Sequence, residues 1–599
     1  MGVDKAMITE TKDRIQTEME RMKTFCIQNL PLFNRNRRKL LSRDRTEILV
    51  RRGRKAVQSI DTGSREAVIR QYRLLDELLK ENRNTEYGKK CGFSDIHSAE
   101  EYKEKVPLTE YDDYVPYIRR MMDGEKNVLS ARPPMYFAMS TGSIGVPKYV
   151  PVSKAEMEKY RRCSVEMAFG VADEYYRNTT GMGLPGGRGL NAVEIKAVPT
   201  SSGVKRGAIS SSLLSAVKDS VPFLLASPWE VVSPGREMDM KYLKARFALA
   251  DKDLVFMDAA FMTGLVDLMD YIRDHYEMLC RDIYHGRINK DVEVPDEVRS
   301  ALKRYLVPDQ HRAKELLYEF REGFDTPIIP RIWPRMSWIG GIGTGGFFPY
   351  TRRMRKYSGK SIPFNNLCYA ASEGLIGVAR HMGDEAYVLI PDSGFYEFLP
   401  VDCDDESKTL NIDELEIGDD YRVIVTNLSG FYRYRLHDVV RVTGYYNETP
   451  MIRFIYRENQ LISIAGEKTN EEDVRWAVEQ FYLETKIHVS DYSIYADTNT
   501  SPGHYILLVE PDHIVGKERI GYCRDVLEEK LMQANPAYGE MVRTSVLGKM
   551  ELIFLQQQTY QLYRDMQIMK GASPNQLKPV RVIDTPQKEK FFFNLKEKY

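Results

Sequence analysis

The chain has 599 residues, and its 86 basic and 86 acidic side chains give a formal net charge of zero. That balance excludes any global electrostatic argument for a nucleic acid or an anionic membrane as partner. A hydrophobic fraction of 43% and a charged fraction of 29% are ordinary for globular proteins, which excludes disorder or a coiled coil over the whole chain.

The sequence offers no zinc or redox motif. Its seven scattered cysteines contain no C-x-x-C pair, and its nine histidines contain no H-E-x-x-H pattern. Scattered cysteines suit a reducing cytosol. The N-terminus lacks a signal-peptide pattern, and no uncharged apolar run of about 18 residues occurs. We therefore expect a cytoplasmic protein with neither a membrane nor a nucleic acid as partner.

The predicted elements change character along the chain. Residues 1–90 are expected to be mostly helical, with a basic run over 35–45 that we interpret as a solvated helix face. From about residue 130, short apolar segments alternate with amphipathic helical stretches such as 154–172 and 241–250. Strands that alternate with helices indicate an α/β domain.

The C-terminal part has a different pattern. Within 421–465, the segments YRVIVTNL, FYRYRLHD, VVRVTGYY and MIRFIYR alternate apolar and polar residues, which predicts antiparallel sheet. A compact α+β unit is expected after this region. Asn470 is positioned to cap its first helix, whose apolar face runs from Val474 to Phe481.

The strongest local signal is the run STGSIGVPK, from Ser140 to Lys148, directly after the apolar strand YFAM. Small residues let backbone N–H groups approach a phosphate chain, hydroxyls add donors, and lysine adds charge. A Walker loop would need Ser or Thr after the lysine and then a helix, whereas Tyr149 follows and YVPV predicts a second strand. The run is therefore a candidate phosphate loop between two strands, and a plain Gly/Ser hairpin is the alternative.

Three further motifs offer nucleotide-binding chemistry. Tyr369, Ser372 and Glu373 lie together in YAASEG, where an aromatic ring can stack on a base and a carboxylate can hold Mg²⁺. An ordinary strand end with a surface Glu is the alternative. Asp438 ends the predicted strand FYRYRLHD, where one carboxylate can accept from both ribose hydroxyls. Arg457 closes the β region just before the C-terminal unit.

These motifs, in this order, resemble those of the adenylate-forming superfamily of acyl-CoA synthetases, luciferases and peptide-synthetase adenylation domains. A closer resemblance is to the acyl acid amido synthetases of the auxin-responsive Gretchen Hagen type, and the chain is identified as a member of that family from about residue 85 to 583. The segments that carry the resemblance are IWPRMSWIGGIGTGG (332–346), KYSG (356–359), YAASEGLIG (369–377), GFYRYRLHDVVRVTGYYNETPMIRFIYREN (430–459) and KGASPNQLK (570–578).

The resemblance implies a role for each matching residue. Tyr369 would stack on adenine, Asp438 would bind the ribose, and Arg457 would lie near the ribose and the hinge. Glu373 would ligate Mg²⁺, and Lys578 would be the mobile lysine that stabilises the adenylation transition state. The implied nucleotide contacts are Ser140, Thr141, Gly142, Ser143, Gly145, Lys148, Thr344, Gly345, Tyr369, Ser372, Asp438 and Arg457.

The same resemblance implies an α/β fold of two parts. A large N-terminal domain over 1–458, with α/β layers and a β-barrel-like end, would hold ATP and the acid. A smaller, mobile α+β domain over 459–599 would turn about Asn459 and carry Lys578 in and out of the site. The implied enzyme is an AMP-forming ligase, expected to be a monomer, that uses ATP and Mg²⁺ to join a small carboxylic acid to an amino acid or amine.

Two departures from the family pattern leave alternatives open. His437 stands where plant members usually carry Gly before the ribose-binding Asp, and we interpret it as a partnered strand-end histidine. Gly466, in SIAGEKTNE, restores a glycine that CoA-forming relatives use, so an acyl- or aryl-CoA synthetase is the alternative function. A non-catalytic nucleotide-binding protein is a third hypothesis, which the intact Lys578, Glu373 and Asp438 disfavour.

Overall fold

The computed structural model describes residues 35–141, 147–403, 405–458, 462–465, 467–574 and 577–598, and for 35–40, 141 and 147 it describes the backbone only. The α-helices of these ranges are α1 (Arg35–Gly63), α2 (Ala67–Asn82), α3 (Glu86–Lys90), α4 (Ala99–Lys105), α5 (Tyr111–Met122), α6 (Lys154–Tyr160), α7 (Met167–Thr180), α8 (Ile209–Ala216), α9 (Val221–Leu224), α10 (Trp229–Val232), α11 (Met240–Ala250), α12 (Met262–His285), α13 (Asp296–Leu302), α14 (Gln310–Arg321), α15 (Ile329–Ile332), α16 (Phe348–Ser358), α17 (Glu471–Thr485), α18 (Ile520–Ala534), α19 (Pro536–Arg543), α20 (Thr559–Met569) and α21 (Pro586–Asn594).

The strands of the same ranges are β1 (Pro134–Thr141), β2 (Pro147–Ser153), β3 (Gly189–Asn191), β4 (Ala197–Pro199), β5 (Lys205–Gly207), β6 (Phe256–Phe261), β7 (Trp338–Ile342), β8 (Phe364–Asn365), β9 (Cys368–Ala371), β10 (Gly374–Val378), β11 (Tyr387–Leu389), β12 (Gly394–Pro400), β13 (Asp420–Asn427), β14 (Tyr434–Tyr446), β15 (Thr449–Arg457), β16 (Val489–Asp497), β17 (His504–Pro511) and β18 (Glu551–Phe554).

The first helices confirm the helical prediction for the described part of 1–90. α1 and α2 together cover most of residues 35–82. Arg43 on α1 is exposed, in keeping with a solvated face for the basic run. Of all the helices placed here, none is long and apolar enough to cross a membrane.

Two four-stranded sheets form the α/β part. In the first, of order β2-β1-β5-β4, antiparallel pairing places Ser140 opposite Lys148, so the glycine-rich run joins two strands as predicted. In the second, of order β3-β6-β7-β8, neighbouring strands are parallel. Its core includes the fully buried Trp333. The carboxyl ends of parallel strands meet at one edge, where α/β sheets bind ligands.

Seven strands form an antiparallel sheet, in the order β12-β13-β14-β15-β11-β10-β9, and β13, β14 and β15 are its strands within the predicted region 421–465. Ser393 precedes β12 and Tyr396 lies on it, and both hydroxyls donate to the carbonyl of Leu375 on β10, at 2.6 and 3.2 Å. These contacts join strands from opposite ends of the order. The sheet therefore curls on itself, as the predicted barrel-like end requires.

One strand prediction is wrong. The segments that the pattern separated after Asp438 belong to a single strand, β14, so Asp438 lies inside a strand rather than at its end. His437 has a φ of +61°, and the pairing with β15 shifts register between Val439 and Val440. The left-handed residue and the bulge interrupt the alternation of side chains without ending the strand.

The C-terminal unit has the predicted α+β arrangement. Asn470 caps α17 by accepting from the Asp473 amide at 3.0 Å. Val474 and Phe481 lie in a core formed with the sheet β16-β17-β18. The predicted domain boundary falls after β15 and before α17, and the exact position at 458/459 stays a prediction.

Candidate active site

Asp438 is the centre of a trio with Tyr369 and Arg457. The β14–β15 register places Asp438 opposite Arg457, whose Nε donates to Asp438 Oδ1 at 2.7 Å. The Tyr369 hydroxyl donates to the other oxygen, Oδ2, also at 2.7 Å. The buried carboxylate raises the pKa of Arg457, which stays charged. One protein donor on each oxygen leaves acceptor capacity for two further hydroxyls.

Glu373 and Ser372 form the two-residue turn between β9 and β10. The Glu373 side chain is buried, and its Oε1 accepts from the Tyr434 hydroxyl at 3.3 Å. Asn427 fixes the turn because its side-chain amide donates to the Glu373 carbonyl at 2.7 Å. The structure thus excludes the alternative of an exposed strand-end Glu.

Thr344 and Gly345 follow β7 and contact the trio through two aromatic rings. Thr344 Oγ1 lies 3.0 Å from the Tyr387 hydroxyl, and the ring centroids of Tyr387 and Tyr369 are 6.1 Å apart. Gly345 has a φ of +56°, and a Cβ there would lie 3.5 Å from the Phe454 ring. Phe454 is itself 6.1 Å from Tyr369. Glycine relieves the backbone strain here and keeps space beside the rings.

The structure describes the candidate phosphate loop at its two ends. Lys148, opposite Ser140, holds its ammonium 5.0 Å from the Tyr111 ring centroid. Burial and, more weakly, the carboxylate of Glu373 raise the pKa of Tyr111. Tyr111 therefore contacts the ammonium of Lys148 and lies within electrostatic range of Glu373. The predicted loop residues outside the described set are the side chain of Thr141 and all of Gly142, Ser143 and Gly145.

Lys578 lies at this site in the described conformation. Its side chain is solvent-exposed, and the charges of Arg457, Asp438, Glu471 and Glu373 all act on its ammonium. The ammonium therefore lies within electrostatic range of these four groups. Glu471 Oε1 is buried without a hydrogen-bond partner among the described residues, and the cation paired with it is Arg581, whose Nε lies 3.9 Å away.

His437 has a carboxylate on each ring nitrogen. Nδ1 lies 3.2 Å from Glu458 Oε2, and Nε2 lies 2.7 Å from Glu110 Oε2. The hydrogen bond to Glu458 and the contacts with Glu110 raise the pKa of His437 against the opposing effect of burial. The histidine is thus partnered, as predicted, although inside β14. The predicted hinge residue Asn459 and the CoA-related Gly466 lie outside the described residues.

Sequence reasoning missed Tyr387, Phe454 and Arg581. The two aromatic residues lie in strands, where the sequence pattern does not distinguish them from ordinary residues of the hydrophobic core. Arg581 is buried, and its Nη2 and Nε donate to the Gly346 carbonyl at 2.5 and 3.2 Å. Its signal in the sequence is a charged residue within the apolar run VRVI.

A cavity of about 530 Å³ lies between the large unit, which ends with β15, and the C-terminal unit, whose first helix is α17. Phe261 in its wall stacks on Phe347, with centroids 4.6 Å apart, beside the Thr344–Gly345 turn. Pro574, which also lines the cavity, shortly precedes Lys578 in the chain. The cavity therefore adjoins the candidate site. Its charged lining residues include Glu194, Lys196, Asp239, Lys241, Lys244 and Asp267.

The donor set fits a magnesium nucleotide. Mg²⁺ prefers oxygen ligands and is usually held by one or two carboxylates together with substrate phosphates, and Glu373 supplies a buried carboxylate. Within the described ranges, no cluster of three or more His, Cys, Asp or Glu would bind a metal by itself. Together with the fold, an aromatic ring, a carboxylate with free acceptor capacity, a second buried carboxylate and a nearby lysine are the groups expected of an adenylate-forming enzyme.

Comparison with known protein families identifies the family within this class of enzymes. Models of the GH3 family match its N-terminal domain over residues 56–364, its central domain over 387–457 and its C-terminal domain over 472–587. The chain therefore belongs to the GH3 family, and it is an amido synthetase, an AMP-forming ligase.

Two relatives and one solved structure illustrate the match. The indole-3-acetic acid-amido synthetase GH3.8 of Oryza sativa subsp. indica is 30% identical over 86% of this chain and 88% of its own length. The jasmonoyl–L-amino acid synthetase JAR4 of Nicotiana attenuata is 27% identical over 85% of this chain and 90% of its own. The GH3.15 acyl acid amido synthetase structure has a TM-score of 0.80 at 24% identity, over 91% of this chain and 97% of that one.

Proposed function

We propose that this enzyme activates a small carboxylic acid with ATP and Mg²⁺, and then transfers the acyl group to the amino group of an amino acid. The observation that carries the proposal is the Tyr369–Asp438–Arg457 trio, with Glu373 and Lys578 close enough for their charges to interact with it. ATP would place adenine beside Tyr369 and its ribose hydroxyls on the free lone pairs of Asp438. Its phosphates would extend toward Glu373 and the 140–148 loop.

The first half-reaction forms the acyl-adenylate. A carboxylate oxygen of the acid attacks the α-phosphorus, and the bond from that phosphorus to pyrophosphate breaks. Negative charge gathers on the phosphate oxygens, where Lys578 supplies a cation. Mg²⁺ at Glu373 would neutralise phosphate charge. A well-placed donor of this kind is typically worth about a hundredfold to a thousandfold in rate.

The second half-reaction forms the amide. The neutral amine attacks the acyl carbon, the mixed anhydride expels AMP, and the proton of the amine nitrogen passes to solvent. No covalent bond to the enzyme is needed. We place the enzyme in the cytosol as a monomer; its six described cysteines are free thiols, which suit a reducing compartment.

The charged cavity favours an amino acid over CoA as acceptor. Its lining offers lysines and carboxylates together, and an amino acid carries one charge of each sign. Lys244 is buried against Glu194, and Lys241 pairs with Asp565 at 3.0 Å, so the lining charges are held in place. A zwitterion would find both complementary charges there.

The test is AMP and pyrophosphate release with ATP and Mg²⁺. Benzoic acid, indole-3-acetic acid, 2,4-DB and decanoic acid would each be run without acceptor, with mixed amino acids, and with CoA. We expect amino acids to stimulate AMP release and to yield a conjugate detected by mass. Lys578→Ala should abolish acid-dependent pyrophosphate release. Stimulation by CoA alone would instead identify a thioester-forming enzyme, and release without any acid would refute the proposal.

A further inference from the structure

We propose that Arg581 is a positioning residue that sets Lys578 against the phosphates during adenylation, an inference that rests on the proposed function. Arg581 lies three residues after Lys578 in the C-terminal unit. Its Nη2 and Nε both donate to the carbonyl of Gly346. Gly346 belongs to the large unit and directly follows Thr344 and Gly345, the predicted nucleotide-binding turn.

The C-terminal side of this contact is held rigidly. Arg581 Nη1 donates to Asp491 Oδ1 at 2.5 Å and to the Tyr492 carbonyl at 2.6 Å. Its guanidinium also lies 4.3 Å from the Tyr492 ring centroid. The backbone carbonyl of Arg581 accepts from the Ile494 amide at 2.9 Å, which fixes its segment along β16.

The large unit makes a second contact with the group of residues around Arg581. The Tyr350 hydroxyl, on α16, donates to Asp491, the carboxylate that holds Arg581. Burial alone would lower the pKa of Arg581, but the Asp491 carboxylate raises it, so the cation persists in the interface. The planar guanidinium presents several donors in a fixed geometry, which an ammonium does not.

This contact fixes the position of Lys578 relative to the predicted nucleotide-binding turn. Gly346 follows the turn beside the nucleotide cleft, and Arg581 lies one short segment from Lys578, so their contact places the lysine relative to the nucleotide. Rotation of the C-terminal unit for the second half-reaction would break this contact, because its partners lie on different units. Arg581 therefore acts in adenylation and not in aminolysis.

The experiment separates the two half-reactions. Acid-dependent ATP–pyrophosphate exchange reports adenylation, and aminolysis of the synthetic acyl-adenylate reports the second step, both with the most active acid of the panel above. For Arg581→Ala we expect a kcat of exchange about a hundredfold lower, the size that an ångström-scale misplacement produces. The KM values and the aminolysis rate should stay near those of the unaltered enzyme. Arg581→Lys should recover only part of the lost exchange.

Two further variants test the same contact from its carboxylate side and provide a control. Asp491→Asn removes the charge that orients Arg581 while keeping the shape, and it should show the same split between half-reactions to a smaller degree. Arg519→Lys makes the matched change at an exposed arginine whose guanidinium donates to the Thr485 carbonyl, and it should leave both rates unchanged. Equal losses in both half-reactions, or normal exchange in Arg581→Ala, would overturn the inference. Absence of exchange in the unaltered enzyme would instead refute the proposed function.

Discussion

The chemistry of Asp438 depends on how few of its acceptors the protein uses. The carboxylate is buried and receives one donor on each oxygen, from Tyr369 and Arg457. The Arg457 cation lies 2.7 Å from this buried carboxylate and balances its charge. The remaining lone pairs point to a ligand with two adjacent hydroxyls, and a ribose has that arrangement.

Asp438→Asn tests this assignment. The amide would present an NH₂ group toward either Arg457 or Tyr369 and leave the arginine cation without its counterion. We expect ATP to bind about 10- to 100-fold more weakly, since a hydrogen bond to a charged group is worth roughly 1.5–3 kcal/mol. Calorimetric titration with ATP measures the effect.

The control for that experiment lies in the same sheet. Asp420 pairs with Arg441 across β13 and β14 at 2.7 Å, and the pair is partly exposed. Asp420→Asn should leave ATP affinity almost unchanged, because an exposed ion pair is worth only about 0–1 kcal/mol. Equal losses of affinity in the two variants would show that Asp438 acts through the sheet rather than on the nucleotide.

At the scale of elements, His437 ties α5 to the end of β15. Glu110 directly precedes α5 and Glu458 directly follows β15, and both carboxylates bond the imidazole. Arg435 lies 3.7 Å from Glu110, and Arg422 lies 2.7 Å from Glu458, so these two cations share the same carboxylates. The tie between the elements strengthens when His437 carries its proton.

The raised pKa of His437 gives that tie a defined pH dependence. The stabilisation is fully present below the ordinary histidine pKa of about 6.5 and is lost as the pH rises through the higher folded-state value. The reference variant is His437→Asn, which does not titrate and tolerates the left-handed backbone. The excess melting temperature of the unaltered protein over this variant should fall as the pH rises from 6 to 9. A constant difference over that range would contradict the assignment.

Short-range patterns predicted the elements better than they predicted contacts between them. The cap at Asn470 and the apolar face of α17 followed from the sequence because they depend on neighbours within a few positions. The break predicted after Asp438 was wrong because a left-handed His437 and a bulge disturb alternation inside one strand. The Asp438–Arg457 pair could have been predicted from the sequence. Both residues lie the same number of positions outward from the two-residue turn Asn447–Glu448, so a hairpin pairs them.

Contacts between segments that are distant in the chain could not be predicted from the sequence. Arg581 and Gly346 are far apart in the chain, and their hydrogen bonds depend on how the C-terminal unit docks. The aromatic frame of Tyr387 and Phe454 around Tyr369 has the same origin. Sequence patterns therefore identified the residues with reactive side chains, whereas their positioning partners required the three-dimensional structure.

At the scale of the whole molecule, the two units meet through charged side chains. Arg564 on α20 pairs with Asp267 on α12 at 2.5 Å, and both side chains are largely buried. A more exposed pair joins Lys356 on α16 to Asp512 at 3.1 Å. A polar interface of this kind suits units that separate and rejoin. Loss of one partner should matter more in the buried pair, because the remaining charge would stay desolvated and unpaired.

Arg564→Met tests that ranking. The substitution leaves Asp267 buried without its cation, and removing one partner of a buried pair costs roughly 3–5 kcal/mol. Burial already raises the pKa of Asp267 despite the opposing arginine, so in the variant Asp267 will take up a proton more readily and docking will weaken as the pH rises. Hydrogen exchange should accelerate in α12 and α20 of Arg564→Met and remain normal in Lys356→Met. Equal exchange in the two variants would show that the buried pair does not hold the units together.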